Sequence, residues 1–262
     1  MITYRYDGSF EGFICAVAAC LEGGDGQPEF VQGCAVQMAG LFAGEVCEVA
    51  TVRERAMAFR KRFVEAVSQE AFATARYAFH SRKAGGELLL WRYLALGLKM
   101  GERFCLMLAE EPVHSINRLA RQVLCEAHKY KGFIRFREVE AGFLYARIEP
   151  EADILPFIAP HFVERVGDRL WMIHDLGRNQ AALYDLKSWR LIRDIELAAD
   201  PAFTDAEQEY TSLWQRYFQR HAIKERHNPK LQQKHVPLRY RKHLVEFTSP
   251  DPSFDKGEST NR

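Results

Sequence analysis

Hydrophobic and polar positions along this chain follow two periods, and the switch between them marks out its elements. Residues 1–7 set Ile2, Tyr4 and Tyr6 against Thr3, Arg5 and Asp7, the two-residue alternation of a half-buried strand. Ser9 stands where an N-cap belongs, ahead of the apolar helical run FEGFICAVAACLE. Residues 23–28, rich in Gly, Asp and Pro, read as a loop, and EVCEVAT reads as a second strand. Thr51 and Glu54 have capping-box spacing, which predicts a helix over 52–67; another fits 69–80. Gly85-Gly86 then precede a helix over 87–109. Residues 1–86 therefore predict a small α/β unit with a boundary near 82–86.

Pro112 opens the next helix, to about Tyr130, along a stripe of Val113, Ile116, Leu119, Ala120, Val123, Leu124 and Ala127. Gly132 is its expected end, where Lys129 and Lys131 complement the helix dipole. FIRFREVEAGFLYARIE reads as a hairpin, with Gly142 in the left-handed position of the loop Glu140-Ala141-Gly142. Pairing Val139 with Phe143 sets Arg137 opposite Tyr145 and Arg135 opposite Arg147. Two facing arginines repel unless an anion lies near them, and Glu149 or a bound phosphate would serve. Asp153 is a candidate N-cap for a helix to Val166, in which Pro160 should force a kink or a later start.

RLWMIHD and AALYD, around a turn at 176–180, make a second hairpin, and SWRLIRDIEL adds a strand or begins a linker. Hairpin, helix, hairpin predicts an α+β domain over 87–247: an antiparallel sheet of about four strands packed with helices. DAEQEYTSLWQRYFQRHAIKER predicts an amphipathic helix that Asn228-Pro229 should stop. Its face of Tyr210, Leu213, Trp214, Tyr217, Phe218 and His221 has the make-up of a packed core. Residues 248–262 are polar and read as a disordered tail.

Composition adds little until charge is located. A hydrophobic fraction of 47% with 27% charged residues is ordinary for a globular chain, and the net charge is only +1. Yet residues 214–243 carry nine cations against one acid, Glu225, leaving 27 cations and 34 acids for the rest. Solubility needs no such segregation, whereas a polyanionic partner would relieve its self-repulsion. The cations are Arg216, Arg220, Lys224, Arg226, Lys230, Lys234, Arg239, Arg241 and Lys242. With the hairpin residues Arg135 and Arg147 they form the candidate nucleic-acid-binding set. Tyr240 and four histidines in this stretch could stack on bases or simply pack. The opening MITYRYDGSF lacks the n- and h-regions of a signal peptide, and the six cysteines lack zinc spacing, so a cytoplasmic protein is expected.

Candidate catalytic groups are Glu149, His161, His174 and Asp175, with Asp153 and Arg178 nearby in sequence. Glu149 and Asp153 would have to converge in a cleft for paired-carboxylate chemistry, and His161, His174 and Asp175 could ligate a metal. Structural roles compete at each: ion pairing for Glu149, capping for Asp153, turn formation for Asp175 and Arg178. No spacing resembles HExxH, GxSxG or a P-loop, and no cofactor is implied.

EAHKYKGFIRF, ARIEPEADILPFIAPHF, WMIHD and IKERHNPKLQQKHVPLRYRKHL, in this order, resemble a bacterial family associated with DNA metabolism or DNA repair. That family is built around a domain of unknown function, DUF4130, and the likeness covers about residues 82–247. It implies DNA as a ligand. As partner it implies a radical SAM DNA-repair protein or a uracil-DNA glycosylase-like protein. Here Val236 precedes Pro237 and Arg241 follows Tyr240, where the family pattern has Met and Trp. The change weakens base stacking and spares phosphate contact. A glycosylase loop and a three-cysteine radical SAM motif are both missing, so neither activity carries over. The sequence thus favours a DNA-binding accessory protein over a DNA-processing enzyme, with a protein-interaction module as the third reading.

Overall fold

A computed structural model describes residues 2–23, 28–32, 45–195, 197, 200–221, 223 and 228–247, in two compact units, Met1–Cys125 and Glu126–Arg262. The tail 248–262, Lys224 and Arg226 lie outside the described residues.

In the first unit β1 (Ile2–Tyr6) is the middle strand of a parallel sheet, between β2 (Pro28–Gln32) and β3 (Val46–Glu48). β2 begins at the end of the stretch read as a loop; five residues, PEFVQ, are too short to show a period. Ser9 does cap α1 (Phe10–Gly23), its Oγ accepting the Gly12 N–H at 2.9 Å. Phe13, Ile14, Cys15, Ala16 and Val17 are all fully buried, so α1 is enclosed rather than amphipathic. The Thr51–Glu54 box does not form: α2 (Arg53–Ala66) starts after Val52 with no side-chain cap. Thr51 Oγ1 lies only 2.7 Å from where a Cβ on Gly12 would stand. Ser68 caps α3 (Gln69–Phe79) by accepting the Ala71 N–H at 3.1 Å. α4 (Gly86–Met100) stops short of residue 109, because Gly101 turns to φ 59° and a 3-10 helix, Gly101–Leu106, follows.

α5 (Glu111–Phe133) passes through Gly132 instead of ending there. In the second unit the expected antiparallel four-stranded sheet is a mixed sheet of five strands. Its order is β4 (Arg137–Glu138), β5 (Leu144–Ile148), β6 (Trp171–Asp175), β7 (Gln180–Tyr184) and β8 (Trp189–Arg193). β4–β5, β6–β7 and β7–β8 are antiparallel, but β5 and β6 are parallel. The link between them contains α6 (Leu155–Arg165), and a helical crossover returns the chain to the end where β5 began. α6 starts at Leu155 and continues through Pro160, and Asp153 does not cap it. Asp153 is buried and its carboxylate accepts from Gln180 Nε2 at 2.8 Å.

One face of the sheet packs on α6. Trp171 stacks on its cross-strand partner Tyr184 at 5.4 Å and meets Phe162 of α6 at 6.5 Å, with Ile148 and Ile173 fully buried beside them. After β8 the chain returns to the outer edge of β4, where Val139 bridges Phe203 and the Thr204 N–H donates to the Glu138 carbonyl at 3.2 Å. α7 (Asp205–His221) follows. Asn228-Pro229 start a helix as well as following one: Asn228 Oδ1 accepts the Leu231 N–H at 3.0 Å and caps α8 (Pro229–His235). α9 (Leu238–Arg241) and a 3-10 turn, Val245–Phe247, complete the unit.

Two glycines test the packing in opposite directions. A Cβ at Gly97 would lie 2.8 Å from Cε2 of the enclosed Phe63 ring, whereas one at Gly132 meets nothing within 4 Å. Overpacking costs about 1–3 kcal/mol, more than the roughly 1 kcal/mol that Ala gains over Gly in a helix. Gly97→Ala should therefore lower the urea midpoint and Gly132→Ala should raise it. A raised midpoint for Gly97→Ala would refute the close approach.

Candidate anion-binding cleft

The sheet face opposite α6 combines an apolar cluster around Tyr145 and Met172 with charged side chains. Tyr145 and Arg147, two apart on β5, share that face. The antiparallel register sets Arg137 beside Tyr145, as expected, and the parallel register sets His174 beside Arg147. The row borders a cleft of about 160 Å3 lined by Arg135, Arg137 and Arg147, by Lys242 and His243, and by Tyr145, Phe203 and Val245. Two ring faces back the guanidiniums: the Arg137 Cζ lies 3.5 Å from the Phe203 centroid, and that of Arg147 5.5 Å from Tyr145.

Every cation of the cleft already has an acidic neighbour. Arg135 donates to Glu246 at 2.8 Å, Arg147 to Asp200 at 2.8 Å and Lys242 to Glu149 at 2.5 Å, while Arg137 lies 3.6 Å from Glu207. These pairs differ in strength. Glu246 and Glu207 are largely shielded, at 7% and 17% side-chain exposure, but Asp200 is 86% exposed. An exposed pair of that kind is worth about 0–1 kcal/mol, so Arg147 is readily redirected to another anion. Among the described residues the Nε atoms of Arg137 and Arg147 are buried without a hydrogen-bond partner, and that of Arg137 faces Glu207 at 3.6 Å.

Arg135 does not face Arg147 across a strand, because β4 is only two residues long. The two meet at the cleft instead, where Lys242 joins them. Other expected cations are spent elsewhere. Arg239 pairs with Glu151 and lies 3.8 Å from Glu126, a buried carboxylate that accepts the N–H groups of Glu151 and Ala152. Arg241 donates to the Val236 carbonyl at 3.0 Å and to Gln232 at 3.3 Å, closing the end of α8. Arg216, Arg220, Lys230 and Lys234 are exposed and make no ion pair among the described residues. Tyr240 packs: it is buried, edge-on to Tyr130 at 5.1 Å.

The four catalytic candidates are not brought into hydrogen-bonding contact with one another among the described residues. Glu149 serves Lys242 and accepts from His243 at 3.0 Å; the Lys242 hydrogen bond holds its carboxyl below the usual range, so it is ionised at neutral pH. Asp175 is fully buried, binds Arg178 at 3.0 Å and accepts the Gly177 N–H, and through Arg178 ties the turn to the Pro150 carbonyl. Burial nonetheless pushes its pKa up. His161 is partly exposed on α6, edge-on to Phe162 at 5.1 Å. No cluster of three metal-ligating side chains occurs among the described residues.

Arg137, Tyr145, Phe203, His243 and Val245 were absent from the expected set. The Arg137–Tyr145 register pointed to two of them; Phe203 arrives through the β4 edge, which has no signature in sequence. Tyr145 completes a relay inward, its hydroxyl bonding His174 Nδ1 at 2.8 Å. Burial and then Arg147 hold the imidazole below the ordinary 6.5, and burial raises the phenol, so the phenol donates to a neutral ring.

A mixed α+β domain with a cation-rich cleft on one sheet face is the class that fold and site define. The chain belongs to the family described as a domain of unknown function, DUF4130, whose model matches residues 84–246. Neither a curated protein nor a solved structure matches it. No helix among the described residues is long and apolar enough to cross a membrane.

Below pH 6.5 the unfolded chain takes up a proton that folded His174 refuses, so stability should fall as pH drops from about 6.5 toward the folded value. His161 and His243, both lowered first by burial, act in the same direction. NMR titration should find the His174 ring below 6.5, and a value at or above that would contradict the buried neutral assignment.

Proposed function

We propose that this protein binds DNA through the cationic cleft of its second unit and the cations of α7 and α8, as an accessory to a partner enzyme. The observation that carries the reading is the convergence of Arg135, Arg137, Arg147 and Lys242 on one cleft backed by two aromatic rings. Planar guanidiniums suit phosphate oxygens, and an exposed Asp200 yields Arg147 at small cost. The cleft is smaller than the 300–1,000 Å3 typical of small-molecule sites, in keeping with one phosphate group rather than a whole metabolite. Arg216, Arg220, Lys230 and Lys234, exposed and without an ion pair among the described residues, supply further backbone contacts. The partner enzyme rests on family likeness alone.

Anisotropy titrations of labelled DNA test this. Arg147→Glu with Lys242→Glu should weaken binding at least about tenfold and flatten the slope of log K against log salt by roughly 0.9 per lost duplex phosphate contact. Unchanged affinity would remove the cleft from the interface. One feature favours a DNA-processing enzyme as the second reading: His243, at the cleft, is hydrogen-bonded to Glu149 at 3.0 Å in the manner of an oriented base. Cleavage of a labelled oligonucleotide by the wild-type chain, lost in His243→Ala, would select that reading.

A further inference from the structure

Most of the face of α7 expected to pack in a core is open, Phe218 excepted. No residue of this helix is buried, and Tyr210, Trp214 and Tyr217 are 72%, 43% and 53% exposed. The helix packs by a neighbouring stripe, where Phe218 meets Phe247 at 5.7 Å and Gln215 donates to the Val245 carbonyl at 2.8 Å. On the open stripe the rings are ordered among themselves. Trp214 stacks on Tyr217 at 5.7 Å and 20°, and Tyr217 lies against His221 at 4.0 Å, tilted by 30°. Recurring at three and four residues, they form one ladder along the helix. His221 is anchored by its Nδ1 contact to the Tyr217 carbonyl at 3.0 Å, and Trp214 Nε1 reaches Glu246 at 3.4 Å.

We propose that this ladder is a stacking platform for the unpaired bases of single-stranded DNA. The inference rests on the DNA-binding reading above and adds strandedness to it. Exposed planar rings offer stacking surface to another planar ring, and every base has one. The charge on the helix suits the same ligand. From Tyr210 to His221 there is no acid, while Arg216 and Arg220, four apart on the flank, are exposed and make no ion pair among the described residues. A phosphate backbone would meet these two arginines beside the rings, whereas a protein partner would have to supply carboxylates for them. Duplex DNA keeps its base faces stacked on one another and cannot engage the ladder.

Anisotropy with the full chain should compare a labelled single-stranded oligonucleotide, its duplex and an abasic strand of equal length. Trp214→Ala with Tyr217→Ala should weaken the single strand about ten- to a hundredfold and leave the duplex and abasic strand unchanged. Trp214→Phe, which keeps a ring, should retain most of the affinity, and circular dichroism should show each variant folded. Equal single-strand affinity in the double-alanine variant overturns the platform, as does a dimer closed over α7 that single strands fail to open. If charge reversal at Arg147 and Lys242 still weakens DNA while the ladder variant does not, the platform alone fails. If wild-type protein retains no DNA of any kind, the DNA-binding reading fails with it.

Discussion

Parallel pairing of β5 with β6 is the constraint on which the second unit turns, because it decides which side chains share a face. Ile148, Trp171 and Ile173 point toward α6, and each large apolar side chain so buried contributes about 1.5–3 kcal/mol. The alternate positions, Tyr145, Arg147 and His174, are then obliged to face the other way. A slip of one residue would carry Arg147 and His174 into the apolar layer and expel Trp171 from it. The charged row is thus held in place chiefly by the hydrophobic packing behind it.

Charge in this unit is distributed between two uses. Arg239 and Arg241 are structural: one reaches the segment fixed by buried Glu126, the other finishes a short helix. Arg135, Arg137, Arg147 and Lys242 are held by carboxylates of unequal exposure around a common cleft. Shielded partners such as Glu246 fix a guanidinium's position, and an exposed one such as Asp200 keeps it occupied at little cost. Such pairing orders the cations of the cleft without leaving a bare cluster of like charges.

The polar residues that resemble catalytic groups are largely accounted for by the same economy of contacts. Asp175, Arg178, Asp153 and Gln180 satisfy one another and the backbone at the end of β6. His174 carries a tyrosine hydroxyl on one nitrogen and is kept neutral by burial. Glu149 and His243 do combine near the cleft in a way that chemistry could use.

Local signals in the sequence determined the helices and most strands, the Gly142 turn, the Ser9 cap and the Arg137–Tyr145 register, since each depends on neighbours within a few residues. Segregation of charge into residues 214–243 was equally plain, as was membership of the family. Tertiary structure alone decided that β5 and β6 run parallel, that Thr51 turns to Gly12 instead of capping, and that Phe203 reaches the cleft along β4. It also decided that Tyr240 is buried while Trp214 and Tyr217 are open. Periodicity reports that a face is apolar; what covers that face depends on contacts between residues far apart in the chain, and these have no local pattern to read.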